Sequence, residues 1–400
     1  MAHRGAVPGP AKEVAMRTAV IVDALRTPLG RRNGSLKDWH PVDLAAHTLQ
    51  ALVERNDLDP GLVEDVLMGC VMQVGDQAGN VGRNAALAAG FPETVVGTSI
   101  DRQCGSSQQA AHFAAQGVMA GAYDVVIAAG VESMTRVPMG SSFLPGSMPY
   151  GPKVFERYDL VPQGLSAELI AEKWGISREQ NDTFSVQSHQ RAARATEEGR
   201  FDQEIVPVPV MIDDASSMFS RDEGIRPDSS LETLAKLKPA FKPEGGVITA
   251  ANSSQITDGA AATLIMSEEK ATELGLTPRA RFHAFALAGV DPVLMLTGPI
   301  PATSKVLERA GMQLDDIDLV EINEAFAPVV LAWEQEHHPD MEKVNVNGGA
   351  IAVGHPLGCS GSRLMATLLN EHERTGGRYG LQTMCEGGGM ANATIIERLG

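Results

Sequence analysis

Leu52-Val-Glu-Arg55, followed by Leu58, Leu62-Val63 and Val66-Leu67, returns 254 residues later as Val306-Leu-Glu-Arg309, followed by Met312, Ile317 and Val320. In each copy apolar residues recur at helical spacing, a short turn intervenes, and a β-branched run follows, which reads as helix, turn and strand. One structural unit is used twice. The copies run on to Cys104 and Cys359, 255 residues apart, so Cys359 reads as the duplicated counterpart of Cys104.

Outward from the first copy, the sequence predicts strands over 19–23, 65–70, 96–101 and 124–130, and helices over 42–55, 80–89 and 106–120. Strands alternating with helices imply an α/β fold with a mixed or parallel sheet covered by helices. The second half repeats the pattern from about 280 to 399. Between them, 131–257 is rich in Pro, Gly, Met and Ser, with helices expected over 166–174, 178–199 and 230–236, and reads as an inserted cap. The expected domains are an N-terminal extension over 1–16, a first half over 17–130 completed by about 258–279, the cap over 131–257, and a second half over 280–400.

Bulk composition narrows the function classes. The chain has 400 residues, 43% of them hydrophobic, which suffices for a large core. No apolar run reaches the ~18 residues of a membrane helix. A net charge of -17 with 4% aromatic residues offers no basic or stacking surface for nucleic acid. An anionic substrate must therefore be met by local Arg, Lys or backbone N–H groups. Four cysteines, three of them in glycine-rich loops, suit reduced thiols and a cytoplasmic location. The first fifteen residues lack the apolar core of a secretory signal, and Glu397-Arg-Leu-Gly400 is not a peroxisomal address.

Reactive side chains gather in three loops. Cys104 lies in Ser99-Ile-Asp-Arg-Gln-Cys-Gly-Ser-Ser107, between a strand and a helix whose first-turn N–H groups and dipole favour a thiolate, which predicts a lowered thiol pKa. His355 lies in Asn347-Gly-Gly-Ala-Ile-Ala-Val-Gly-His-Pro-Leu-Gly-Cys-Ser-Gly361, whose glycines let backbone pass close to a ligand. Cys385 precedes Gly387-Gly-Gly389. Two thiols and an imidazole in such loops suit chemistry on a thioester. Cys359 has no base among its neighbours and Cys70 ends a strand, so both read as packing residues.

With Asn323-Glu-Ala-Phe-Ala327 added, this set strongly resembles the thiolase family over nearly all of 17–400. The resemblance implies a five-layered αβαβα core of two related halves with a loop domain above the active site. It implies that Cys104 is the acyl-accepting nucleophile and that His355 takes its proton. Asn323 then holds a water that completes a first oxyanion hole, with Glu324 in support. Cys385 moves the proton at the carbon beside the thioester, and the N–H groups of Gly387 and Cys104 form a second oxyanion hole. Ser254 in Asn252-Ser-Ser-Gln-Ile-Thr-Asp-Gly259 corresponds to a serine bonding the pantetheine arm, Arg226 to a cap arginine near the nucleotide, and Met295 and Phe326 to pocket-lining positions. Coenzyme A is a co-substrate; no permanent cofactor and no metal are implied, and a homodimer or homotetramer is.

One stretch departs from the pattern. Acetoacetyl-CoA-type thiolases carry a His-Met pair before Gly-x-Thr-Ala-Glu, narrowing the acyl pocket, whereas this chain has Pro162-Gln163 before Gly164-Leu-Ser-Ala-Glu168. Asp291-Pro-Val-Leu-Met-Leu-Thr-Gly-Pro-Ile-Pro301 and Gln382-Thr-Met-Cys-Glu-Gly-Gly-Gly389 are similar to degradative thiolases of actinobacteria, including those acting on steroid-derived acyl-CoAs. The expected activity is cleavage of a 3-oxoacyl-CoA by CoA. The alternatives are a biosynthetic, acetoacetyl-CoA-forming thiolase and a non-catalytic acyl-CoA-binding relative. A decarboxylating 3-oxoacyl synthase would ordinarily use two histidines, where this chain offers His355 and Cys385.

Overall fold

The computed structural model describes residues 16–212 and 215–400, so the extension over 1–16 lies outside the described residues except for Met16. Its strands are β1 (Ala19–Arg26), β2 (Gly30–Arg31), β3 (Asp65–Gly69), β4 (Val96–Ile100), β5 (Val125–Ser133), β6 (Val208–Ile212), β7 (Ala215–Phe219), β8 (Thr257–Ser267), β9 (Ala280–Gly289), β10 (Leu319–Ile322), β11 (Tyr379–Glu386) and β12 (Met390–Arg398). The main sheet runs β10-β11-β12-β9-β1-β8-β5-β3-β4, with β2 on β8. It is mixed: β3 is parallel to β4 and β5, and β10 to β11, while β8 is antiparallel to β1 and β5. Only Val20↔Arg281 and Ile21↔Ala280 join β1 to β9, so two half-sheets meet at one corner.

The duplication is visible in the element starts. Asp65 and Leu319 open β3 and β10, Ser106 and Ser360 open long helices, and Val125 and Tyr379 open β5 and β11, each pair 254 residues apart. Matched this way, Cys359 falls opposite Gly105 and Cys104 opposite Gly358, which corrects the pairing of Cys104 with Cys359. In the second half the residues just before the helix form a one-turn 3-10 helix, Leu357–Cys359, with the 254-residue offset unchanged on either side of it.

Side-chain alternation sorts the strands into layers. Val66, Val125 and Ile127 pack outward against Leu44, Leu49 and Leu52 of the helix Pro41–Arg55. Leu67, Val126 and Ala128 pack inward against Ala110, Ala114 and Val118 of the helix Ser106–Met119, which shares this space with Met365, Leu368 and Leu369 of Ser360–Thr375. On the far side Val320 and Ile322 meet Val306 and Trp333. The order is helix, sheet, helix pair, sheet, helix.

The middle helices approach closely because glycines face them. A Cβ on Gly361 would lie 2.3 Å from the backbone nitrogen of Gln108, and one on Gly130 would lie 2.3 Å from the carbonyl of Gly358. The layer is also polar. Gln108 Nε2 donates to Thr394 Oγ1 (2.8 Å) and the carbonyl of Gln382 (3.1 Å), and Ser362 N donates to Ser107 Oγ (2.9 Å).

Between β5 and β8 the chain forms helices Gln163–Trp174, Arg178–Glu197 and Leu231–Leu234, plus the β6–β7 hairpin. The last helix is one turn, shorter than expected over 230–236: Ser230 and Thr233 close a capping box, and Pro239 bars continuation. The hairpin escapes sequence reading because Pro209 sits within β6, tolerable here because that sheet has only two strands. Gly361→Ala should lower stability by about 1–3 kcal/mol through overpacking, read as a drop in denaturant midpoint. Gly289→Ala, where a Cβ meets nothing within 4 Å, should leave the midpoint unchanged.

Candidate active site

Cys104 sits where β4 turns into the helix Ser106–Met119. The turn is tight: Gln103 adopts φ 49°, its N–H donates to Asp101 Oδ1 (2.7 Å), and Gly105 N donates to the carbonyl of Arg102 (3.1 Å). The thiol is buried, and the backbone N–H dipoles of Gly387 and of Cys104 itself favour its thiolate. Burial, then the nearby Glu386 carboxyl, push its pKa up to about 12. This overturns the expected lowering. A helix terminus stabilises a charge by ~0.3–1 kcal/mol, whereas full burial shifts a pKa by up to ~3–5 units. Cys104 therefore rests as a protonated thiol.

His355 is fixed in the loop before the helix Ser360–Thr375. Its backbone N–H is held by the carbonyl of Gln255 and Thr257 Oγ1 (both 3.2 Å), and its Nδ1 lies 2.5 Å from Ser360 Oγ. The Ser360 hydroxyl already donates to the carbonyl of Pro356 (2.9 Å), so it accepts from Nδ1–H. Nε2 is therefore the unprotonated nitrogen. Burial, and then the charge of Arg363, lower the imidazole pKa to about 3, keeping the ring neutral. Asn323 Nδ2 is 3.4 Å from Nε2, and Asn323 Oδ1 is buried without a partner, a polar position able to hold a water.

Cys385 lies on β11 in an apolar wall with Met295, Phe326, Ile170 and Val329. Its thiol is fully buried, and burial followed by repulsion from Cys104 raise its pKa well above the ordinary value. Asn323 is tied to the same strand, its N–H donating to the carbonyl of Thr383 (3.1 Å). Gly387 lies between two amides: a Cβ there would be 3.0 Å from Gln103 Oε1 and 3.4 Å from Gln163 Nε2. Ser254 is half-buried beside the Asn323 loop, its N–H donating to the carbonyl of Ala325 (2.9 Å). Arg226 is exposed on the cap, anchored by its backbone N–H to His189 Nδ1 (3.1 Å).

The Thiolase, N-terminal domain family model matches residues 19–269, and the Thiolase, C-terminal domain model matches 276–398. The chain belongs to the thiolase family. It is 51% identical, over 98% of its length and 97% of the relative's, to a steroid 3-ketoacyl-CoA thiolase of Mycobacterium tuberculosis. It is 49% identical to a 3-ketoacyl-CoA thiolase of Aliivibrio salmonicida, covering 96% of this chain and 100% of that one. The crystal structure of the Bacillus anthracis acetyl-CoA acetyltransferase superposes with a TM-score of 0.89 at 43% identity, covering 96% of this chain and 100% of that one.

Three residues of this thiolase that sequence reasoning passed over organise the loops. Glu132, buried at the end of β5, accepts the N–H groups of Val71 (2.9 Å), Met72 (3.1 Å) and Gly358 (2.9 Å) and Gln77 Nε2 (2.7 Å). It ties the β3 loop to the His355 loop. Gln255 Nε2 bridges the carbonyls of Gly224, Ile351 and Ala352 (2.8–2.9 Å), linking cap to core. Ser360 fixes the His355 tautomer. Its signal was present five residues after His355, within the quoted motif. Glu324 is buried and accepts from Ser188 Oγ (2.6 Å), Asn345 Nδ2 (3.0 Å) and Ile351 N (3.2 Å). A cleft of about 520 Å³ reaches Glu324 from behind, between the helices Arg178–Glu197 and Ala327–His337, but neither thiol lines it.

Ser360→Ala should cut kcat by about 10–100-fold, the usual cost of removing a residue that orients a functional imidazole, while the fold is retained by circular dichroism. Because the His355 pKa is depressed, the ring stays basic as pH falls, so kcat/KM should show no acid limb near the ordinary imidazole value of about 6.5. A rate titration below neutral pH checks this.

Proposed function

We propose that the chain cleaves a 3-oxoacyl-CoA with free CoA, giving acetyl-CoA and a shortened acyl-CoA. The observation that carries this reading is the nearness of two buried thiols, Cys104 and Cys385, with the Gly387 N–H beside Cys104, together with a neutral imidazole on a neighbouring loop whose Nδ1 is held by Ser360 and whose Nε2 faces Asn323. Cys104 gives its proton to His355 Nε2 and its sulfur attacks the 3-keto carbon. The C2–C3 bond then breaks, leaving an acyl-Cys104 thioester and the enolate of acetyl-CoA, which takes the Cys385 proton at carbon. The Cys385 thiolate next takes the proton of the CoA thiol. CoA sulfur attacks the acyl-Cys104 carbonyl, whose oxyanion receives the N–H groups of Cys104 and Gly387, and the departing Cys104 sulfur recovers its proton from His355. Two raised thiol pKa values suit this cycle, since each sulfur holds a proton until a partner is placed.

In the same reading Ser254 and Arg226 meet the pantetheine arm and the nucleotide of CoA, and Met295 and Phe326 line the acyl tunnel. CoA enters and leaves as a co-substrate, with no resident cofactor or metal taking part. In the same reading the chain works in the cytoplasm as a homodimer or homotetramer, and association is supported by β4, which ends the sheet with Val96 exposed, an edge that proteins ordinarily cover. Among the described residues no helix is long and apolar enough to cross a membrane.

Substrate width follows from Gln163, whose flexible amide stands beside Gly387 in place of a narrowing pair. The 51% identity to a steroid thiolase supports a wide, partly polar tunnel. Each buried methylene contributes about 0.8 kcal/mol. We expect a higher kcat/KM for 3-oxoacyl-CoAs of about six or more carbons, or ring-bearing ones, than for acetoacetyl-CoA, because that binding can be retained in the transition state. A thiolysis panel decides it, and a clear preference for acetoacetyl-CoA would replace this reading with the biosynthetic one.

The covalent step has its own test. Incubation with acyl-CoA should add one acyl group, located at Cys104 by peptide mapping. Cys385→Ser should abolish exchange of the acetyl-CoA methyl hydrogens, slowing it by at least ~10²–10⁴ as for a positioned acid or base. Acylation at Cys359 or Cys70, or normal exchange in Cys385→Ser, would refute the assignment.

A further inference from the structure

Glu386 follows Cys385 on β11, and successive strand residues face opposite ways. Its carboxyl lies against the residue after the nucleophile: a Cβ on Gly105 would fall 2.0 Å from Glu386 Oε1 and 2.8 Å from Asn392 Nδ2. The side chain is 0% exposed, and neither carboxyl oxygen has a hydrogen-bond partner. Glu132 and Glu324, also buried, each accept several donors. An ionised group in the Glu386 position would be a buried charge with nothing to hold it.

The charged and titratable groups facing it come from three elements. On the loop before the helix Ser106–Met119, Arg102 attracts a negative charge and Asp101 repels it, with the Cys104 thiol beside them. On its own strand stands Cys385. On β12, Asn392 is uncharged, and its Nδ2 is committed to the carbonyl of Gly105 (3.1 Å). Glu132, on β5, bears on Cys104. Burial is the largest influence and raises the carboxyl to about 8, so it is protonated at neutral pH.

We propose that Glu386 is a positioning residue for the nucleophile: as a neutral acid it lets Cys104 acquire negative charge, and once ionised it holds the Cys104 sulfur protonated. The inference rests on Cys104 being the acylated residue. Glu386 itself transfers no proton to substrate; its own proton exchanges with solvent, while that of Cys104 goes to His355. The sign is distinctive. An ordinary thiol becomes more nucleophilic as pH rises, whereas here rising pH places a like charge beside the sulfur, which disfavours thiolate. Charge developing at the neighbouring Gly387 N–H is opposed in the same way.

The experiment uses the full-length protein and measures, across pH, the single-turnover acylation of Cys104 by acyl-CoA and its alkylation by iodoacetamide, with peptide mapping. Wild type, Glu386→Gln and Glu386→Asp are compared, with Glu386→Met as a second neutral variant should the glutamine variant fold poorly. Wild-type acylation should fall about tenfold between pH ~7 and pH ~9, the size of a one-unit pKa coupling. The neutral variants should lose that fall and alkylate about tenfold faster at the alkaline end, and Glu386→Asp should restore it. A merely structural residue would lower the rates without changing the shape of the profile. Superimposable profile shapes in wild type and the neutral variants would overturn the proposal while leaving Cys104 as nucleophile. An acyl label on another cysteine would instead remove the reading on which it rests.

Discussion

Close approach of two buried helix N-termini is the constraint on which the site depends. The helices Ser106–Met119 and Ser360–Thr375 share the middle layer, and Gly69, Gly130, Gly358 and Gly361 let backbone meet backbone where any side chain would intrude. A Cβ at Gly69 would lie 2.3 Å from Ser107 N, so β3 is drawn against the first turn after Cys104. The same crowding sets Gly358, three residues from His355, against the carboxylate of Glu132. Two loops from opposite halves of a duplicated chain are thus held together by backbone contacts, which tolerate little drift.

Burial then decides the chemistry. In water a thiol near a helix terminus would be partly ionised and a histidine partly charged; here desolvation dominates both, leaving Cys104 and Cys385 protonated and His355 neutral. That arrangement favours proton transfer coupled to bond making, because no charge exists until substrate arrives to stabilise it. Hydrogen bonds select which proton can move. Ser360, by accepting from Nδ1–H, leaves Nε2 unprotonated, and Asn323 presents one amide hydrogen to it and one unpaired oxygen beside it.

The cap reaches the core through a few polar contacts. Gln255 spans from Gly224 to Ile351 and Ala352, and its own carbonyl receives the backbone N–H of His355, so cap position and imidazole position are mechanically linked. Gln163 begins a cap helix and reaches Gly387.

The sequence by itself determined the duplicated α/β architecture, because apolar periodicity is local and the 254-residue repeat recurs at β3 and β10, at the helices opened by Ser106 and Ser360, and at β5 and β11. It also marked Cys104, His355, Cys385 and Asn323, each within a distinctive short motif. It could not give the thiol pKa: a helix terminus is visible in sequence, but the desolvation that outweighs it comes from residues hundreds of positions away. Nor could it reveal Glu132 or the unpartnered state of Glu386, since a carboxylate's role depends on which backbone N–H groups the fold brings within reach. The Cys104–Cys359 pairing failed because the two cysteines stand 255 residues apart whereas the element starts repeat at 254, a difference of one that the helix starts expose. Tertiary structure decided these points because electrostatics and hydrogen bonding act through space, whereas periodicity acts along the chain.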